Sequence, residues 1–227
     1  HDMHVYSDDG VQLRPLATVP LPFEETQPSA LSVDPATSRL YVFDNHTAVA
    51  IYDVADPAAP ALLEHRVLTE RAPLIWDVVE TGPGQGYLAA FEHPDVWVDV
   101  PAGVVRVMAH GGGAVGGGFD AAGKQAALTD ILSGDLRLYD GAGQPQRTLA
   151  LGVRGRDAQP LTDRGWLAVG AYASGRLHFV RSADGSPIVD LQVGGPLRAL
   201  DVDGKGTLYA GTSCGIVAVD LDALVAP

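Results

Sequence analysis

A chain of 227 residues has room for one large domain or two small ones. It is 46% hydrophobic and 19% charged, enough to bury a sizeable core and too apolar for a disordered chain. Fifteen basic against 28 acidic side chains leave a formal charge of −13, which excludes the basic face that nucleic acid or an anionic membrane surface needs. A single cysteine, Cys214, excludes an internal disulfide framework, and no apolar run approaches the roughly 18 residues that span a bilayer. Gly 27 and Pro 16 suit a turn-dense all-β protein.

The chain begins His1-Asp2-Met3-His4. We read Met3 as the natural start and the two residues before it as a cloning remnant, because a strand pattern begins directly after it. A cleaved leader is the alternative. The first reading implies a cytoplasmic protein and the second a secreted one.

From Met3 onward an apolar strand ending in Asp recurs: Ala50-Ile51-Tyr52-Asp53, Trp97-Val98-Asp99, Arg137-Leu138-Tyr139-Asp140 and Ala218-Val219-Asp220. Looser copies end at Tyr6 and Val180. The residues before the Asp slot stand at 6, 52, 98, 139, 180 and 219, so the spacings are 46, 46, 41, 41 and 39. Between them an Asp or Glu closes one strand and a short Gly- or Pro-containing turn opens the next. Asp34, Glu80, Asp120, Asp163 and Asp203 mark these turns. An Asp at the first turn position accepts from backbone N–H groups two residues on.

Each repeat then reads as four short strands. In the copy from Ser29 to Leu68 these are Ala30–Val33, Leu40–Phe43, Val49–Tyr52 and Ala61–Val67. Glu64-His65-Arg66 and Gln146-Arg147-Thr148 are polar, as outer fourth strands should be. Four-stranded units repeating every 40–45 residues or so predict one all-β domain over 1–227, a β-propeller whose blades bury their faces against one another. Twenty-one strands are legible. They fit five blades, with six as the alternative, and the strand around Leu13–Val19 is expected to close the ring by joining the C-terminal blade.

The stretch from Leu40-Tyr41-Val42 through Val49-Ala50-Ile51-Tyr52-Asp53-Val54-Ala55-Asp56-Pro57-Ala58-Ala59-Pro60 resembles an LVIVD-type propeller repeat. The Tyr-Asp endings are similar to WD repeats, without their Gly-His pair. The resemblance implies a propeller, in families that include binding platforms, surface proteins and enzymes.

In such a fold the fourth-to-first and second-to-third strand loops share one rim around the central channel. That rim is the expected ligand site. It would carry Glu24, Glu25, Glu70, Arg71, Arg154, Arg156, Asp157 and Arg198, with Arg154-Gly155-Arg156-Asp157 either a clamp for a carboxylate or phosphate or a solvated loop. His46, His93 and His110 fall on rim loops of neighbouring units and suggest a site for a divalent transition metal with an open position. The run Gly111–Gly118 lacks the ending of a phosphate loop and reads as a flexible linking loop. Cys214 reads as a buried small apolar residue, and Trp76, Trp97 and Trp166 as packing between blades. The functional expectation is a soluble binding module for a small molecule or protein at the rim. The alternative is a metal-assisted hydrolase, lyase or isomerase built on His46, His93 and His110.

Overall fold

The computed structural model describes residues 1–69 and 74–224, and of residues 109–111 the backbone alone. Every regular element is a strand. The apolar, β-branched stretches form them, and the aspartates that follow stop them. Asp34, Asp120 and Asp203 each accept the backbone N–H two residues on, at 2.9–3.0 Å. Asp53 and Asp140 do the same at the third-strand ends, and Asp220 repeats it.

The hairpin β1 (Asp2–Asp8) and β2 (Leu13–Pro20) forms a sheet of its own. Next comes the antiparallel sheet β3 (Pro28–Asp34), β4 (Arg39–Asp44), β5 (Ala48–Asp53) and β6 (Ala61–Val67), paired in chain order. A six-stranded sheet follows, from β7 (Leu74–Gly82) through β8 (Gln85–Asp99), β9 (Val104–Asp120), β10 (Gln125–Asp130) and β11 (Asp135–Asp140) to β12 (Pro145–Ala150). It is two repeats fused. The chain takes a positive φ of 61° at Glu92, so the first part of β8 pairs with β7 and the second with β9. In turn β9 pairs with β8 through its first half and with β10 through its second. Then come β13 (Gly155–Leu161), β14 (Trp166–Ala171), β15 (Arg176–Arg181) and β16 (Pro187–Gln192), again in order. The final sheet has three strands, β17 (Leu197–Val202), β18 (Thr207–Thr212) and β19 (Gly215–Asp220).

With the β1–β2 hairpin set aside and the six-stranded sheet taken as its two repeats, β3–β6 is the first of five units that stack face to face among the described residues, with a separate apolar cluster in each seam. Tyr41, Phe43, Val49 and Ile51 of the first unit meet Ile75, Leu88, Val96 and Val98 of the second. Tyr87, Trp97 and Met108 of the second meet Ala126, Leu128 and Tyr139 of the third. Leu136, Leu138 and Leu149 meet Leu167, Val169 and Val180, and Leu177 and Phe179 meet Leu200, Leu208 and Val219. In the inner units the second and third strands are therefore apolar on both faces, because each lies between two other sheets, whereas β18 and β19 of the last unit alternate buried and exposed residues. Burying one such Leu, Val or Phe contributes about 1.5–3 kcal/mol. The fourth strands β6 and β12 are mostly exposed, as their polar sequences imply.

Three expectations need correction. The strand around Leu13–Val19 does not join the C-terminal sheet, and its β-ladder is with β1 alone. Met3, Val19 and Leu21 bury themselves against Phe23 and Tyr52, and the Tyr52 hydroxyl donates to the Pro20 carbonyl at 3.2 Å. The hairpin is thus held on the first unit by its own apolar face, and among the described residues β19 pairs with β18 alone.

Second, Gly111–Gly118 is no loop. It lies within β9. A Cβ on Gly116 would collide with the Arg156 carbonyl, one on Gly117 with the Ala127 carbonyl, and one on Gly118 would stand 2.6 Å from the Ala158 carbonyl. Glycine is needed because neighbouring backbones approach too closely for any side chain. Third, Cys214 is exposed at the turn between β18 and β19.

Candidate pocket at the mouth of the stacked sheets

The first strands of successive units lie side by side, with β13 packed against β9 and β17. Their starting ends, with the second-to-third strand turns, surround a cavity of about 460 Å³. Trp76 of β7 and Phe91 of β8 form one wall, their ring centroids 5.9 Å apart at 56°. Val115 of β9 with Ile131 and Leu132 of the β10–β11 turn supply further apolar lining. Arg154 and Arg156 at the head of β13, Tyr172 after β14 and Arg198 of β17 complete it.

Two of the guanidiniums stack on aromatic rings. Arg156 lies 5.6 Å from the Trp76 centroid, and Arg198 lies 4.8 Å from that of Tyr172. Stacking uses the face of a guanidinium and leaves its N–H edge free to donate. Among the described residues none of Arg154, Arg156 and Arg198 makes an ion pair within 4.0 Å. Arg156 Nη1 is buried and has no hydrogen-bond partner among the described residues.

Two carboxylates lie beneath. Asp157 accepts from the Ala158 amide at 2.8 Å and the Leu200 amide at 2.6 Å, tying the fourth unit to the fifth. Burial pushes its carboxyl well above the usual carboxylate range, and the charge of Asp77 pushes it further. Asp77 accepts from the Val78 amide at 2.9 Å. Burial raises its pKa too, against the opposing pull of that amide and of Arg156. Gly116 separates Asp77 from Arg156: a Cβ there would stand 3.3 Å from Asp77 Oδ2 and 3.4 Å from Arg156 Nη1.

Of the rim residues read from the sequence, Arg154, Arg156 and Arg198 share this cavity and Asp157 lies under it. Glu24 and Glu25 do not reach it. They line a shallower depression of about 470 Å³ by the outer strands of the first unit, together with Phe23, Asp44, His46 and His65. Glu70 and Arg71 lie outside the described residues. His46 hydrogen-bonds Asn45 at 3.0 Å through its Nδ1. His93 is exposed at the turn inside β8 and borders neither cavity. The side chain of His110 lies outside the described residues. Among those described, no group of three His, Cys, Asp or Glu side chains is placed to hold a metal ion.

Sequence reading missed the aromatic half of the pocket. Trp76 is 46% exposed and faces the cavity instead of a seam, whereas Trp97 is buried in one. The available signal was position: Trp76 stands at the head of a first strand, next to the expected rim.

No family model matches this chain, and no curated protein matches it. Among solved structures it is similar to a chain of the "Crystal Structure of Mitotic Checkpoint Complex", at 16% identity and a TM-score of 0.67, covering 96% of this chain and 71% of that one. That likeness is to a propeller-type fold, and it agrees with the stacked antiparallel sheets described above.

Proposed function

We propose that this chain is a propeller-type binding module of five blade units in one domain, recognising a ligand or protein partner at the mouth where the first strands converge. One observation carries the reading. Loops and strand ends from four units meet around a single concave, largely apolar space that also holds three arginines without ion-pair partners among the described residues. Pockets of this size with a few convergent polar groups are the usual form of a ligand site. The neighbour's membership of a protein complex agrees with a recognition role.

The test is a fragment screen followed by amide chemical shifts in labelled protein. Binders are expected to perturb residues 115–116, 131–133, 154–157, 172–174 and 197–199 together. Binders that gather instead at Glu24, His46 and His65 would move the site to the outer depression and overturn the reading.

A further inference from the structure

We infer that the mouth is an organic-acid pocket, taking a small molecule with a flat apolar body against Trp76 and Phe91 and a carboxylate on the guanidinium edges of Arg156 and Arg198. The inference deepens the proposed function and rests on the mouth being the ligand site.

Charge comes first. The chain carries a formal −13, yet its central concavity gathers three arginines and not one of them has an ion-pair partner among the described residues. The nearest acids do not supply one. Asp157 is committed to the amides of Ala158 and Leu200, and Asp77, which feels the charge of Arg156, makes no ion pair with it within 4.0 Å among the described residues. Arg156 Nη1 is enclosed on the Asp77 side, within 3.4 Å of the room a Cβ on Gly116 would take, so the part of this guanidinium that lines the cavity is what a ligand meets. Stacking on Trp76 and Tyr172 holds two of the guanidinium planes, and the exposed edge of Arg198 favours planar, bidentate oxyanions.

Size and lining define the rest. About 460 Å³ suits a small molecule. A tryptophan left 46% exposed inside a concavity, beside Phe91, offers a flat apolar surface that water covers poorly. Arginine forks take carboxylate and phosphate alike, so the choice of carboxylate rests on the backbone. The glycine run that resembles a phosphate cradle is committed to the ladder of β9 with β8 and β10.

The test is calorimetric titration of the whole chain with 2-naphthoate, 2-naphthamide, acetate, inorganic phosphate and the acidic peptide acetyl-Glu-Glu-Phe. Naphthoate is expected to bind one to one, with naphthamide and acetate each at least about tenfold weaker. Arg198→Gln, at an exposed position, should weaken naphthoate about five- to tenfold and leave naphthamide unchanged. Trp76→Leu should weaken both, with thermal unfolding curves confirming that each variant folds. No binding of naphthoate overturns the inference. Equal binding of naphthoate and naphthamide, both sensitive to Trp76→Leu, overturns the acid preference but leaves the mouth as the ligand site. Binding of either that ignores every mouth substitution overturns both. Acetate or phosphate binding as tightly as naphthoate removes the flat body from the argument, and tighter binding of the peptide overturns the small-molecule assignment.

Discussion

Arg137 of β11 reaches across the seam between the second and third units to Asp95 of β8, Nη2 to Oδ2 at 3.0 Å, with both side chains almost wholly shielded. Its Nη1 also binds Asp130 at 2.7 Å, so one guanidinium joins a turn of its own unit to the neighbouring sheet. Asp130 in turn accepts the amides of Leu132 and Ser133, in the turn that edges the mouth. Desolvation raises the Asp95 carboxyl to about 6 despite the guanidinium beside it.

Replacing Arg137 by Met should therefore destabilise the fold by about 3–5 kcal/mol at pH 7, because an unpaired buried carboxylate remains. Urea unfolding measures this. The loss should be smaller at pH 5, where Asp95 takes up a proton and no longer needs a partner.

Asp95 also fixes the sign of a pH effect. Its folded-state pKa is raised, so the stability it contributes is fully present below the unfolded value near 3.8 and is lost as pH rises through about 6. The stability of the wild type relative to Asp95→Asn should accordingly fall between pH 4 and pH 6 and then level off. Urea midpoints at four pH values would show it, and a difference that grows over that window would contradict the desolvation argument.

Gly117→Ala should cost about 1–3 kcal/mol, since its methyl group would run into the Ala127 carbonyl. Gly204→Ala is the control. Nothing lies within 4 Å of a Cβ there, and the change should stay within about 0.5 kcal/mol. Comparable effects at the two sites would show that the seam relaxes.

Cys214 should react with one equivalent of a disulfide reagent in the native protein without denaturant, because its side chain is exposed. Protection until unfolding would place it inside.

Ile216 is 77% exposed on β19, the edge strand of the last sheet among the described residues. A long apolar edge invites pairing with another chain, and a lysine there discourages it. Light scattering over a concentration series should show less association for Ile216→Lys than for the wild type.

Much of this was legible in the residues. The Asp-terminated strands announced the units, and the carboxylates of Asp34, Asp120 and Asp203 cap turns where the spacing put them. Arg154, Arg156 and Arg198 were placed at the mouth by the repeat alone, because equivalent loops of equivalent units fall at one end. Position within a repeat says which end of a sheet a residue occupies and does not say how far from the centre it lies. That is why the repeat groups Glu24 and Glu25 with arginines they do not approach.

The failures share a cause as well. Gly111–Gly118 has the composition of a loop, and only the closeness of the Arg156, Ala127 and Ala158 carbonyls makes it a strand. Contacts between segments distant in the chain leave no local pattern. The attachment of β1–β2 to the first unit was hidden for the same reason, since Met3, Val19 and Leu21 show their partners only when Phe23 and Tyr52 are in place.

The three glycines near the C-terminal end of β9 have one more implication. Where carbonyls already occupy the room a methyl would need, every substitution costs stability, while the exposed arginine and ring at the adjoining opening are under no such restraint. A lineage could thus exchange one specificity for another at the entrance and keep the same frozen spine behind it.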